Sequence, residues 1–174
     1  MNKRYVPFAL AENIFSISPD FFVRIGVKYL LCDLDNTLDS YKTPDPSSRT
    51  IAYVKSLKER GIKFYIASNN TSKRVRRYAK ELGVESLSGL LKPFSFKLKK
   101  LIKKEGFPIN ETLMVGDQIM TDVISGNGAG IRVILTKPVS EIDPPYTSFN
   151  RMFEKRKRRE IVEKGLAKPW EEIL

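Results

Sequence analysis

Asp33 and Asp35 stand two residues apart in the segment Asp33-Leu34-Asp35-Asn36-Thr37, directly after the apolar run Val27–Cys32. An extended backbone would point both carboxylates the same way. Two carboxylates that close repel unless a cation lies between them or one takes a proton. Further polar groups follow other apolar runs: Ser68 and Asn69 after Ile62–Ala67, Lys92 after Leu87–Leu91, and Asp117, then Asp122, after Thr112–Val115. Carboxylates without any histidine suit a hard, oxygen-loving cation, Mg²⁺ rather than zinc. Mg²⁺ on two or so carboxylates keeps positions for water and a phosphate oxygen, and Lys92 and the Ser68 hydroxyl suit the remaining phosphate oxygens. Any one of these residues is ordinary at a strand end, where Asp, Ser and Asn are common. Their arrival in this order, each after an apolar run, points to phosphate chemistry.

The elements that must position them alternate. Strand-like runs at Val27–Cys32, Ile62–Ala67, Leu87–Leu91, Thr112–Val115 and Ile131–Leu135 are separated by helical patterns at Ser47–Arg60, Ser72–Leu82, Phe94–Glu105 and Ile119–Ala129. In the first helix Ile51, Val54, Leu57 and Lys58 recur at helical spacing. Such alternation predicts βαβ units, hence an α/β three-layer sandwich around a five-stranded, mostly parallel sheet. Ligands of such sheets bind beyond the C-terminal ends of the strands, where the polar segments fall. Three regions follow: an N-terminal arm (1–26) packed on the core, a catalytic core (27–136), and a Pro-rich link with a C-terminal helical extension (137–174). A helix is expected from about Ser148 to Lys164, packed back on the sheet.

Composition narrows the chemistry. The chain has 174 residues, 41% hydrophobic and 29% charged, which is globular. With no histidine and one cysteine, Cys32, it has no Ser-His-Asp or Cys-His catalysis, no imidazole zinc site and no CxxC chemistry. Cys32 is expected to be buried on the alternate face of its strand. No apolar run approaches the ~18 residues that span a membrane, and the start resembles no secretory signal. The expectation is a reducing, cytoplasmic setting, peripheral on the inner membrane face at most. Net charge is +11, and residues 73–104 hold eleven Lys and Arg against Glu81 and Glu85. That imbalance suggests an anionic partner.

Asp33-Leu34-Asp35-Asn36-Thr37-Leu38, Ser68, Lys92 and Gly116-Asp117-Gln118-Ile119-Met120-Thr121-Asp122 together resemble the four ordered motifs of the haloacid dehalogenase-like hydrolases. The first and last forms are similar to subclass IIIA phosphatases of the YqeG type, over about residues 15–154. The resemblance implies a Mg²⁺-dependent phosphatase with Asp33 as nucleophile, forming an aspartyl-phosphate. Asp35 would be the acid and then the base. The Asp33 carboxylate, the Asp35 carbonyl and Asp117 would hold the metal. Asp122 would support that site or orient Lys92, and Ser68, Asn69 and Lys92 would bind the phosphoryl group.

Only residues 39–46 separate the first motif from the next helix, and residues 69–92 hold little beyond one helix and one strand. There is no room for a cap domain, so the site is expected to be open, favouring a large or surface-held substrate or closure by a partner. Resemblance to mitochondrial phosphatidylglycerophosphate phosphatases implies a lipid phosphomonoester and peripheral contact with an anionic membrane, aided by flanking aromatics (Phe8, Phe15, Phe21, Phe22, Phe149, Phe153, Trp170). Nucleic-acid ends, phosphoproteins and soluble phosphates remain alternative substrates, and a ribosome- or RNA-associated binding module is an alternative of another class. Gly126-Asn127-Gly128-Ala129-Gly130 ends a helix and precedes a strand, the reverse of a dinucleotide fingerprint, and is expected to serve as a turn. The basic run Lys155–Arg159 is expected to be a solvated helix turn.

Overall fold

The computed structural model describes residues 2–70, 73–140 and 151–173. Strands β1 (Ala9–Ala11), β2 (Tyr29–Cys32), β3 (Lys63–Ser68), β4 (Glu85–Ser88), β5 (Thr112–Gly116), β6 (Arg132–Thr136) and β7 (Lys168–Pro169) form one sheet in the order β4-β3-β2-β5-β6-β1-β7. Every pairing is parallel. The strand order switches direction between β2 and β5, which bear the acidic segments at their C-terminal ends. A crevice opens at such a switch point because the connecting helices leave on opposite faces.

The sheet is larger than the five strands expected. β1, from the N-terminal arm, pairs with β6, and β7, from the C-terminal extension, pairs with β1. Neither was legible as a strand: β1 is three residues long and β7 two, too short for an alternating pattern.

Helices cover both faces. α1 (Pro19–Arg24) starts with the Ser18 hydroxyl accepting from the Asp20 amide and proline in the first turn. α2 (Ser48–Glu59) is capped by Ser47, whose hydroxyl accepts from the Thr50 amide at 3.2 Å. It buries Thr50, Tyr53, Val54 and Leu57, whereas Ile51, expected on the core face, points to solvent. α3 (Lys73–Leu82) buries Val75, Tyr78, Ala79 and Leu82; Ser72, its expected start, lies outside the described residues. α4 (Ser95–Glu105) buries Leu98 and Ile102 and ends at Gly106 with φ 69°. The expected helix over 119–129 divides into a wide π-helical turn, Ile119–Val123, and α5 (Ile124–Ala129). α6 (Arg151–Glu163) crosses the second face; the earlier part of its expected range and Phe149 lie outside the described residues.

Successive β2 residues feed opposite layers. Leu30 and Cys32 join Phe21, Phe22, Val54 and Leu57, while Leu31 joins Leu98, Ile102, Met114, Val123 and Ile161. This is the expected three-layer arrangement. Cys32 is fully buried, and burial pushes its thiol pKa well up, so it remains a small apolar group. The flanking aromatics expected at a membrane are mostly spent inside. Phe21 and Phe22 are fully buried, and Trp170 packs edge-on against Phe21 at 5.2 Å. Phe8 and Phe15 pack against the same cluster. The glycine run closes α5: a Cβ on Gly126 would overlap the Val133 side chain, and one on Gly128 would stand 2.7 Å from Ser95 Cβ. Between them Asn127 donates to the carbonyls of Arg4 (3.0 Å) and Val6 (2.9 Å), tying down the N-terminal arm. Among the described residues, no helix is long and apolar enough to cross a membrane.

Candidate active site

At the C-terminal rim of β2 and β5, Lys92 Nζ donates to Asp33 Oδ1 at 2.6 Å, to Asp122 Oδ1 at 2.7 Å and to the Ala67 carbonyl at 3.0 Å. The lysine side chain is 2% exposed and that of Asp122 1%, so the pairs lie in a low-dielectric setting. Carboxylate oxygens of Asp33, Asp117 and Asp122 all lie within 4.8 Å of one another. Asp117 Oδ1 accepts from the Thr37 hydroxyl at 3.0 Å and Asp122 Oδ2 from the Gln118 amide at 3.1 Å. Asp122 is thus satisfied by Lys92 and a backbone amide, which leaves Asp33 and Asp117 as the carboxylates with capacity for a metal ion. The donor set is oxygen alone, as a hard divalent cation requires.

Electrostatics follow from burial. Burial raises the Asp33 carboxyl, helped by Asp122 and Asp35 and opposed by Lys92, to about 7. Asp117 is raised well above the usual carboxylate range by burial, then by Asp122 and Asp33. Burial alone would lower Lys92, but Asp122 and Asp33 outweigh it and hold the ammonium charged. Three carboxyl groups share one ammonium, so Asp33 and Asp117 hold protons more readily than usual, and a cation would compete with those protons for the same oxygens.

Local backbone explains the positions. β2 ends at Cys32, and a left-handed residue, Asn36 (φ 63°), turns the chain back. Asp33 and Asp35 therefore meet different cations: Asp35 Oδ1 pairs with Arg74 Nη1 at 2.6 Å. Arg74 also donates to the carbonyls of Ser40 (3.4 Å) and Thr43 (3.1 Å), holding the loop that follows. Asp39 anchors that loop from inside, accepting from Tyr78, from Thr50 Oγ1 at 3.0 Å and from the Ser47 amide at 3.0 Å. Gly116 is required by close approach, since a Cβ there would overlap the Asp122 carboxyl group. The strand expected over Leu87–Leu91 ends at Ser88, where left-handed Gly89 (φ 68°) and then Leu91 (φ 52°) turn the chain before Lys92.

Most of the expected site residues converge. Asp33, Asp117, Asp122 and Lys92 form one cluster. Ser68 is buried at the end of β3, its oxygen accepting from the Asn70 amide at 3.0 Å. The Asp35 side chain stands outside the acidic triad, on Arg74. Asn69, expected on substrate, grips the Lys92 backbone instead: its oxygen accepts from the Lys92 amide at 2.7 Å and its nitrogen donates to the Lys92 carbonyl at 3.0 Å.

Two residues of the C-terminal extension were missed. Glu154 accepts from the Ile119 and Met120 amides at 3.1 and 2.7 Å, satisfying the start of the turn that carries Asp122. Arg158 donates to the Thr136 carbonyl at 2.9 Å and to the carbonyl of Asp117. The expectation of a solvated turn at Lys155–Arg159 fails at Arg158 and at Lys157, whose ammonium lies over the Tyr5 and Phe153 rings at 5.7 Å. Glu154 and Arg158 are four apart, a common helix-surface spacing that by itself signals nothing. The basic segment also sorts itself: Arg74 belongs to the site, and Arg77 pairs with Asp45 at 2.9 Å.

Residues 33–130 match the family description haloacid dehalogenase-like hydrolase. The chain is 34% identical over 172 residues to "Probable phosphatase YqeG" of Bacillus subtilis (strain 168), covering 99% of each. It is 25% identical over 150 residues to "Phosphatidylglycerophosphate phosphatase 1, chloroplastic/mitochondrial" of Arabidopsis thaliana, covering 81% of this chain and 43% of that one. Among solved structures, one from Legionella pneumophila described as HAD superfamily, subfamily III A, superposes with a TM-score of 0.50 at 20% identity, covering 71% of each chain.

Proposed function

The chain belongs to the haloacid dehalogenase-like hydrolases, and from that premise we propose that it is a Mg²⁺-dependent phosphomonoester hydrolase working through an aspartyl-phosphate on Asp33. The observation that carries the reading is the Lys92 ammonium fixed between Asp33 and Asp122 beside Asp117, at the switch point of the sheet. The Asp33 carboxylate attacks phosphorus as the ester P–O bond breaks. Asp35 gives its proton to the departing oxygen, so the alcohol leaves neutral. Asp35 then takes a proton from water, which attacks the aspartyl-phosphate and frees Asp33 and inorganic phosphate. Ser68 Oγ and Lys92 Nζ hold phosphoryl oxygens, and Arg74 orients Asp35. Mg²⁺, held by Asp33 and Asp117 with the Asp35 carbonyl, would supply the charge neutralisation that lets two anions meet.

For the substrate we propose a lipid phosphomonoester, phosphatidylglycerophosphate or a similar headgroup. Two things support this. The identity with the Arabidopsis thaliana phosphatase covers most of this chain. Among the described residues, only short loops, α3 and β4 lie at the two places where a cap could be inserted. The test is turnover, with Mg²⁺, of phosphatidylglycerophosphate in vesicles against soluble sugar and aryl phosphates, phosphopeptides and 5′-phosphorylated oligonucleotides. Preference for the lipid is expected. Preference for another member of the panel replaces the substrate, and no turnover of any overturns the enzymatic reading.

A further inference from the structure

Leu91, Phe94 and Phe96 flank the active-site lysine in sequence and face away from it. Phe94 is 63% exposed, Phe96 59% and Leu91 46%, and the two rings lie 6.5 Å apart. Lys92 between them is buried, its ammonium within the acidic cluster. Large apolar groups left in water together mark a docking surface far more often than groups scattered singly. The patch is firmly placed, because Leu98 and Ile102 anchor α4 in the core and Ser95 fits against Gly128.

α4 continues from this patch with Lys97, Lys99, Lys100, Lys103 and Lys104, all exposed. Lys99, Lys100 and Lys103 follow Phe96 by three, four and seven residues, which puts them on its side of the helix. Among the described residues, only Lys104 of these five makes an ion pair, with Glu105 at 3.6 Å. The opposite side of α4 is buried, so the helix shows water an apolar tip followed by ammonium groups, four of them outside any ion pair among the described residues.

We propose that Leu91, Phe94, Phe96 and the α4 lysines form a docking surface for an anionic lipid bilayer, on the segment that carries the active-site lysine. Aromatic and aliphatic side chains enter the boundary between headgroups and acyl chains while lysines reach the phosphates around them. A second copy of this chain would set like-charged helices against each other. An oligonucleotide would use the lysines and stack on the rings but leave Leu91 in water. The surface differs from the flanking aromatics expected from sequence, which are largely built into the core, and from α3, whose Arg74 and Arg77 are engaged.

The inference rests on the phosphomonoesterase reading of the adjoining site, so binding is measured apart from turnover. Full-length protein is floated with phosphatidylglycerol-containing vesicles and with pure phosphatidylcholine vesicles at low and high salt. Phe94→Ser/Phe96→Ser and Lys99→Gln/Lys100→Gln/Lys103→Gln variants are run beside it. Expected are binding to the anionic vesicles only, weakening with salt over a Debye length of about 8 Å, and at least about a tenfold loss of affinity in each variant. Hydrolysis of a soluble aryl phosphate by the variants should match wild type, which shows that they fold. No binding of wild type to anionic vesicles, or unchanged binding of both variants, overturns the docking surface. So does a wild-type dimer that the Phe variant converts to monomer, or oligonucleotide binding with none to vesicles. Vesicle binding without lipid turnover leaves the surface standing and overturns the lipid substrate instead.

Discussion

Arg158, from α6, donates to the backbone carbonyl of Asp117, a residue of the acidic cluster forty-one positions earlier. The same guanidinium holds the Thr136 carbonyl, and Glu154, one turn before it, holds the amides of Ile119 and Met120. The segment that carries Asp117 and Asp122 is therefore braced by α6 at Asp117 and again at Ile119 and Met120. Arg158→Met and Glu154→Gln should each weaken Mg²⁺ affinity by about tenfold or more, the usual scale for groups that orient metal ligands. Arg158→Lys should not restore it, since one ammonium cannot reproduce the forked contact to two carbonyls. Metal titration of folded variants checks this; wild-type affinity in both would refute the brace.

Asp33→Asn should abolish turnover, by at least about a thousandfold, because an amide cannot form the aspartyl-phosphate. The fold should survive. Burial raises Asp33 against the opposing pull of Lys92, with Asp122 adding to the rise, and Asp122 still partners the ammonium once Asp33 is neutral. Thermal unfolding at or above the wild-type temperature, together with absent phosphoenzyme in acid-quenched digests, is the expected pair of results.

Lys92→Met should be costly in both respects. It leaves the fully buried Asp122 without a cation and Asp33 without its partner. Breaking a buried pair from one side costs about 3–5 kcal/mol. Urea denaturation should show a loss of that order along with loss of activity, while Lys99→Met, on the exposed side of α4, should change stability by no more than about 0.5 kcal/mol.

Chelation with EDTA should inactivate, and Mg²⁺ should restore. Stability adds a sign that can be checked. In the metal-free chain Asp33 is raised to about 7 by burial. A carboxyl raised on folding favours the folded state at low pH, and that contribution is lost as pH climbs from its ordinary value through about 7. Mg²⁺ competes with the proton for the same oxygen. The rise in unfolding temperature on adding saturating Mg²⁺ should therefore be small at pH 5 and largest at pH 8. A rise that shrinks over that range would contradict the assignment of Asp33 to the metal.

Residue types and periodicity made the α/β frame and a candidate set of polar groups legible in the sequence by itself. The absence of histidine left oxygen and ammonium as the working groups, and alternation of apolar runs with helical patterns put Asp33, Ser68, Lys92 and Asp117 at the ends of parallel strands. These are local signals: periodicity and residue type act within a turn or a strand. Tertiary structure decided what depends on contacts between distant segments. It turned Asp35 to Arg74, gave Asn69 the Lys92 backbone and split the 119–129 helix so that Asp122 could reach Lys92 past Gly116. It also paired the two terminal segments as sheet strands and brought Glu154 and Arg158 onto the backbone of the Asp117–Asp122 segment. A strand of two or three residues has no period to read, and a side chain bound to a backbone group selects no residue type in its partner. Such pairings leave no mark in the sequence; packing of α6 across the sheet creates them.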